Sequence, residues 1–166
     1  MNDGSGKKSD GSPVITSVTT ADAGDIVAMW RDYVAYMQSI GDPSLFLFDE
    51  DSFLADGFGP NPAFEGIIAR IDGQPAGYLL YHHSYDIDRA MRLLFIGNLW
   101  VAASARRRGV GRALIERIRE IARDTNALHL VWGVYSENVL ALDFYEGLGA
   151  ARTENLVWMH MPVDPD

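Results

Sequence analysis

Residues 98–111, NLWVAASARRRGVG, decide the fold. The stretch reads as the end of a buried strand, a short turn of small residues, and then glycines that open a long amphipathic helix. Such a helix start offers backbone N–H groups without intrahelical partners and the positive end of the helix dipole. Both suit a phosphate-bearing ligand, so the stretch predicts a site for a phosphorylated cofactor.

Downstream, from residue 109 to about 124, Val110, Ala113, Leu114, Ile118, Ile121 and Ala122 fall on one stripe, with Arg112, Glu116, Arg119, Glu120 and Arg123 on the solvent side. Residues 128–135 predict a buried strand. Residues 138–148 predict a helix ended by Gly149, and residues 155–161 a final strand with Pro162 beyond it. Upstream, residues 91–101 form a nearly continuous apolar run, as expected of a strand covered on both faces. Gly97 and Asn98 interrupt it, and a glycine there predicts a bulge or a close approach of ligand to backbone.

Residues 64–71 and 76–85 read as two strands joined by the turn sequence DGQP at 72–75. Residues 14–19 are β-branched enough for a first strand. Thr20 or Asp22 can then cap a helix to about residue 40, with Ile26, Met29, Trp30, Tyr33 and Met37 at the spacing of one apolar face. Gly41, Asp42 and Pro43 end it, and a shorter helix follows at 49–55. Residues 1–13, MNDGSGKKSDGSP, hold almost nothing to bury and are expected to be a disordered tail or expression remnant outside the fold. The order βααβββαβαβ, without internal repeat, predicts one α/β domain over residues 14–166.

The chain of 166 residues fits one domain with a real core. Hydrophobic residues at 48% against 22% charged give a globular profile. No apolar run approaches the roughly 20 residues that cross a bilayer, and no signal-peptide pattern is present, so a cytoplasmic protein without membrane partners is expected. Cysteine is absent, which removes disulfides, cysteine-rich zinc sites and an acyl-cysteine intermediate. A formal net charge of −9 argues against nucleic acid as a partner and favours cationic ligands.

The glycine stretch fails the alternatives. A P-loop needs GxxxxGK followed by Ser or Thr, and a dinucleotide fingerprint needs a third glycine that residues 109–114, GVGRAL, lack. No GxSxG nucleophile elbow is present. What remains is RxxGxG at Arg106–Gly111, followed about 30 residues later by NVLALDFYEGLGA at 138–150. With both signatures in this order, the chain resembles the GNAT superfamily of N-acetyltransferases over about residues 14–161. Residues 54–59, LADGFG, with Gly77-Tyr78, Tyr85-Asp86 and Leu93-Leu94, resemble more closely its diamine, or spermidine/spermine, acetyltransferase-like branch.

The resemblance implies a single GNAT-like α/β domain with a mixed central sheet of six to seven strands flanked by about four helices. It implies acetyl-CoA as cofactor and no metal. Backbone N–H groups of Arg107, Arg108, Gly109, Val110 and Gly111 would cradle the pyrophosphate, with Arg106, Arg107 or Arg112 adding charge. The backbone of Leu99, Trp100 and Val101 would pair with the pantetheine amides. Asn138 would sit beside that arm, and equally fits as a helix N-cap. Tyr145 matches the family's general acid, which protonates the departing thiolate; a plain packing role is its alternative.

The chain departs from its relatives at one point. Polyamine-acting members carry adjacent acidic residues where this chain has Gly97 and Asn98, which puts substrate choice there. Deprotonation is then left to a water chain or to His82, His83 or Asp86. Tyr33 and Tyr36 are candidates to line the acceptor cleft, with Asp86, Gly97 and Asn98 as further substrate-side residues. Asp22, Asp25, Asp32, Asp42, Asp49, Glu50, Asp51 and Asp56 either steer a cationic amine or are simply solvated.

The expected activity is acetyl transfer to the primary amine of a small polyamine-like or amino-acid-like acceptor, by direct attack in a ternary complex. Acetylation of a protein N-terminus or lysine is the second reading, and an acyl-CoA-binding sensor without turnover the third. The resemblance also suggests a homodimer.

Overall fold

The computed structural model describes residues 11–154 and 156–163. Most of the expected N-terminal tail, residues 1–10, lies outside them, as does Asn155 of the expected final strand. Five strands and four helices follow in the order β1 (Val14–Ser17), α1 (Ala23–Ser39), α2 (Glu50–Phe58), β2 (Glu65–Ile71), β3 (Gln74–Asp86), β4 (Met91–Val101), α3 (Val110–Asp124), β5 (Ala127–Val131) and α4 (Val139–Glu146). The sheet order is β1-β2-β3-β4-β5. All neighbours are antiparallel except β4 and β5. Among the described residues, no helix is long and apolar enough to cross a membrane.

Local chemistry accounts for the element boundaries. The Asp22 carboxylate accepts from the Thr19 amide at 2.7 Å and its hydroxyl at 2.9 Å, closing a box ahead of α1. Gly41 ends that helix in the left-handed region at φ 85°. Asp49 and Ser52 exchange hydrogen bonds at the start of α2. Asp72 and Gly73 both have positive φ, 52° and 77°, which is the twist a two-residue hairpin between β2 and β3 requires.

Each face of the sheet has its own core. On one, Leu79, Leu94 and Ile96 pack against Val110, Leu114, Ile115 and Ile118 of α3. On the other, Ile68, Tyr78, Leu80 and Trp100 pack against Ile26 and Met29 of α1 and Phe53 of α2. β4 serves both because Leu80 pairs with Asn98 while Tyr81 pairs with Ile96, leaving Gly97 as an extra residue. The predicted bulge is there, and it reverses the alternation, so Asn98 and Trp100 turn toward α1.

The final strand expected at 155–161 is not formed. Described residues 156–163 carry no strand assignment, and Leu156, Val157, Trp158 and Met159 are exposed, Met159 to 88%. The sheet therefore has five strands rather than six to seven. An apolar run states that a segment needs burial, not what will bury it, and here the chain's own outer strand, β5, does not pair with it.

Gly77 sets how close the layers come. A Cβ there would lie 2.7 Å from the Trp100 carbonyl oxygen and 3.1 Å from Val110 Cγ1, so its absence lets β4 and the first residue of α3 close on β3. Gly77→Ala is expected to destabilise the fold by about 1–3 kcal/mol through overpacking. Urea denaturation checks this; an unchanged midpoint and slope would show that the contact is not tight.

Candidate active site

β4 and β5 pair only from Arg92 with Ala127 to Phe95 with Val131. Beyond that point β4 runs on to Val101 without a strand partner on this side. The gap is a cleft of about 470 Å³. Leu99, Trp100 and Val101 form one wall, residues 105–107 and 109–112 its end, α4 the opposite wall, and Tyr33 and Tyr36 of α1 its rim.

At the end of the cleft the backbone is shaped for a helix start. Arg107 and Gly109 have positive φ, 60° and 81°. Gly109 caps α3, whose first intrahelical bond runs from the Ala113 amide to the Gly109 carbonyl at 2.9 Å. The amides of Val110, Gly111 and Arg112 therefore lack helical acceptors. The two glycines have different reasons to be there. A Cβ on Gly109 would meet no atom within 4 Å, so its requirement is the backbone conformation, and the space before it is open. A Cβ on Gly111 would lie 3.0 Å from the Phe144 ring, so that glycine lets α4 pack on α3.

The arginines divide. Arg107 and Arg112 line the cleft, whereas Arg108 does not and turns toward Gly11. Arg106 lines it too, with its guanidinium 4.6 Å from the Trp100 ring and 5.6 Å from that of Tyr36. Its Nε donates to the Val101 carbonyl at 3.2 Å, so that oxygen is already engaged.

Asn138 is the helix N-cap, one of the two readings the sequence leaves open, and it lines the cleft. Its side-chain oxygen caps α4 by accepting from the Ala141 amide at 3.2 Å, and also accepts from the Tyr36 hydroxyl at 3.0 Å. That second bond ties α1 to α4 across the cleft mouth. Tyr145 lines the wall and packs on Trp132 at 4.8 Å between ring centroids, and burial pushes its phenol up to about 12. The phenol is a proton donor throughout the neutral range.

Tyr33 packs edge-on to Trp100 at 5.7 Å, and burial, with the field of Asp42, raises its phenol, which the Asn98 carboxamide partly offsets. Asn98 lies one position deeper than the lining. Its Oδ1 is buried without a hydrogen-bond partner among the described residues, as are Tyr78 Oη and Trp100 Nε1. Tyr78 pairs directly with Trp100 across the strands, so the three orphaned atoms belong to one face beside the bulge. Gly97 itself is exposed.

Other candidates lie elsewhere. Asp86 is at the far end of β3, holding Arg89 at 2.7 Å. His82 stacks on Phe95 at 5.0 Å, and His83, on the opposite face, meets Glu65 at 3.2 Å. Asp22 and Asp25 are both bound to Arg70. Sequence reading passes over Ala105, Leu140, Ala141 and Phe144, all of which line the cleft. The helical step of three or four from Asn138 to Ala141 to Tyr145 is the signal that finds part of that wall.

A family model described as the Acetyltransferase (GNAT) family matches residues 26–150. The chain is 30% identical over 147 residues to the thialysine N-epsilon-acetyltransferase of Sus scrofa, covering 84% of this chain and 84% of that one. It is 27% identical over 106 residues to the spermidine/spermine N(1)-acetyltransferase-like protein 1 of Homo sapiens, covering 58% of this chain and 15% of that one. Among solved structures, a ribosomal-protein-alanine N-acetyltransferase from Brucella melitensis biovar Abortus 2308 matches with a TM-score of 0.73 at 19% identity, over 90% of this chain and all of that one. At that identity the likeness is one of fold.

Proposed function

We propose a function from one premise, that this chain belongs to the GNAT acetyltransferase family and is an acetyl-CoA-dependent N-acetyltransferase. Residues 14–166 act as its catalytic domain, in the cytoplasm, on the primary amine of a small polyamine-like or amino-acid-like acceptor. The observation that carries this reading is that one cleft joins the open N-terminus of α3, at Gly109, to the buried phenol of Tyr145.

In this reading the first-turn amides of Val110, Gly111 and Arg112, with the strained turn at Arg107 and Gly109, hold the pyrophosphate of the acyl donor. The open space before Gly109 fits that group. Arg107 and Arg112 add charge, while Arg106 is held on Trp100 and acts nearer the acceptor. The free edge of β4 at Leu99, Trp100 and Val101 faces the pantetheine arm, and Asn138 holds α4 beside it. When bound, the thioester supplies a carbonyl open to attack by an amine. Tyr145 donates the proton that the departing sulfur needs. Both substrates are bound at once, so transfer is direct. Tyr33, Tyr36 and Asn98 flank the acceptor.

The exposed apolar segment 156–163 supports a homodimer. Trp158 touches Phe95 edge-on at 5.9 Å, yet the segment buries little else, and a second copy of this chain would cover it.

Thiol release from acetyl-CoA across thialysine, spermidine, simple diamines and peptides tests the function. Turnover of a small amine is expected. Tight CoA binding with no release for any amine would overturn the reading, and turnover of peptides alone would replace its acceptor class. Tyr145→Phe is expected to lower kcat about 10²-fold with acetyl-CoA affinity little changed; unchanged kcat would remove it as the acid. Gly109→Val is expected to weaken acetyl-CoA binding at least about tenfold, since valine resists this backbone conformation and fills the cradle. Calorimetry on the folded variant checks that, and wild-type affinity would refute the pyrophosphate placement. Sedimentation is expected to find a dimer that Trp158→Asp weakens; a wild-type monomer would remove the interface.

A further inference from the structure

The carboxylates and imidazoles that could deprotonate an ammonium are absent from the cleft. Among the described residues, its lining holds no Asp, Glu or His. Each group left open as a base is committed elsewhere: Asp86 to Arg89, His83 to Glu65, and His82 to the ring of Phe95. The titratable groups that do face the cleft are Tyr33 and Tyr36 from α1, Arg106 and Arg107 from the loop, Arg112 from α3 and Tyr145 from α4. Behind them, on β3, lies Tyr78, whose hydroxyl is buried without a partner. The field of Asp42, after α1, acts on Tyr33, and Asp42 accepts from the Ser44 amide at 2.8 Å outside the cleft lining. On α4, Asp143 is exposed and Glu146 is paired with Arg152.

A site of this composition repels an ammonium and accepts an amine. Of the three guanidinium groups that line it, Arg107 and Arg112 go to the donor's phosphates in the reading above, and Arg106, over the rings of Trp100 and Tyr36, is left beside the acceptor with no carboxylate in the described lining to balance it. A buried acceptor atom, Asn98 Oδ1, stands without a donor among the described residues just behind the lining, beside Tyr33. A primary amine has two N–H donors and one lone pair; giving a donor to Asn98 Oδ1 satisfies the orphan and leaves the lone pair free for attack.

Resting on the acetyltransferase reading above, we propose that this enzyme takes its acceptor as the neutral amine, held by Asn98, with no side chain acting as general base, and that it therefore serves weakly basic amines. The proton count closes without a base. The nitrogen–carbon bond forms, the carbon–sulfur bond breaks, and the proton that nitrogen loses ends on sulfur. Tyr145 gives its own proton to sulfur as the carbon–sulfur bond breaks, and the nitrogen, made acidic by its new bond to carbon, returns one to the phenolate after attack, so no side chain deprotonates the amine beforehand. An ammonium, by contrast, must leave one proton in solvent before it can bind.

The test uses primary amines matched in length whose own pKa values differ by several units. For each, kcat/KM is expected to fall about tenfold per pH unit below that amine's pKa, with an inflection that moves from amine to amine. Calorimetric titration of the amine into the CoA-bound protein, in buffers of different ionisation heat, is expected to release one proton per amine bound below its pKa. An inflection fixed at one pH for every amine, or binding without proton release, would overturn the proposal and point to a side-chain base. Loss of the inflection in Asp42→Asn would overturn it in favour of Asp42. Asn98→Asp is expected to shift preference toward strongly basic amines at least about tenfold, since a carboxylate favours the ammonium; an unchanged preference in the folded variant would remove Asn98 from the acceptor site. Acceptor binding with no thiol release at any pH would instead sink the enzymatic reading, and this proposal with it.

Discussion

A single extra residue at Gly97 sets the direction in which the second half of β4 faces. Without it, strict alternation from Leu94 and Ile96 would carry Asn98 and Trp100 onto the α3 side. There they would bring three polar side-chain atoms into an aliphatic core of Leu114, Ile115 and Ile118. With it, Leu99 and Val101 continue that core, and Asn98 and Trp100 turn to α1. The aromatic rim of the cleft depends on this reversal, because Tyr33 and Tyr36 both pack on Trp100 at 5.7 Å between centroids. Arg106 is then held by the same ring.

The charge of the protein is distributed unlike its formal total. Acidic residues outnumber basic ones, giving −9, yet among the described residues the cleft lining contains arginines and no carboxylate. The excess acid is placed elsewhere, and part of it is spent on local structure. Asp22 and Asp25 hold Arg70, Asp49 caps α2, and Asp86 fixes the turn with Arg89. Burial opposes ionisation of Asp22, but hydrogen bonds from Thr19 and Arg70 outweigh it and hold the carboxyl below its ordinary range. A net charge integrates over the whole surface, whereas a bound amine responds to groups within a few ångströms. The charge beside the cleft is therefore read from its lining rather than from the total.

Much of the fold was legible because it rests on local rules. The hairpin at Asp72 and Gly73, the capped helices and the bulge glycine are each dictated by residues within a few positions of one another. Part of the α4 wall was legible for the same reason, since a helix fixes Asn138 and Tyr145 on one face, but Leu140, Ala141 and Phe144 between them were not. What failed was non-local. Residues 156–161 have the composition of a strand, but composition does not supply the edge that pairs with them. Asp86 sits near β4 in sequence, yet it lies at the opposite end of a 13-residue strand from the cleft. Gly111 matched a phosphate motif, but the atom that excludes a side chain there belongs to Phe144, 33 positions away. The orphaned hydroxyl of Tyr78 carried no sequence signal, because an apolar strand accommodates a tyrosine ring whether or not its oxygen finds a partner.

These features meet in one chain of contacts. Trp100 carries Arg106 on its face, Arg106 also lies over Tyr36, and Tyr36 donates to Asn138, which caps the helix bearing Tyr145. The strand end, the glycine loop, α1 and α4 are therefore coupled through four side chains around the cleft mouth. Movement of α1 to admit an acceptor would disturb the cap of α4, and movement of the loop to admit a phosphate would disturb Arg106 on Trp100. In the reading proposed above, the two ligand positions share one set of aromatic and hydrogen-bonded contacts, so ordering them for one ligand would lower the cost of ordering them for the other, the condition under which two substrates bind with positive coupling.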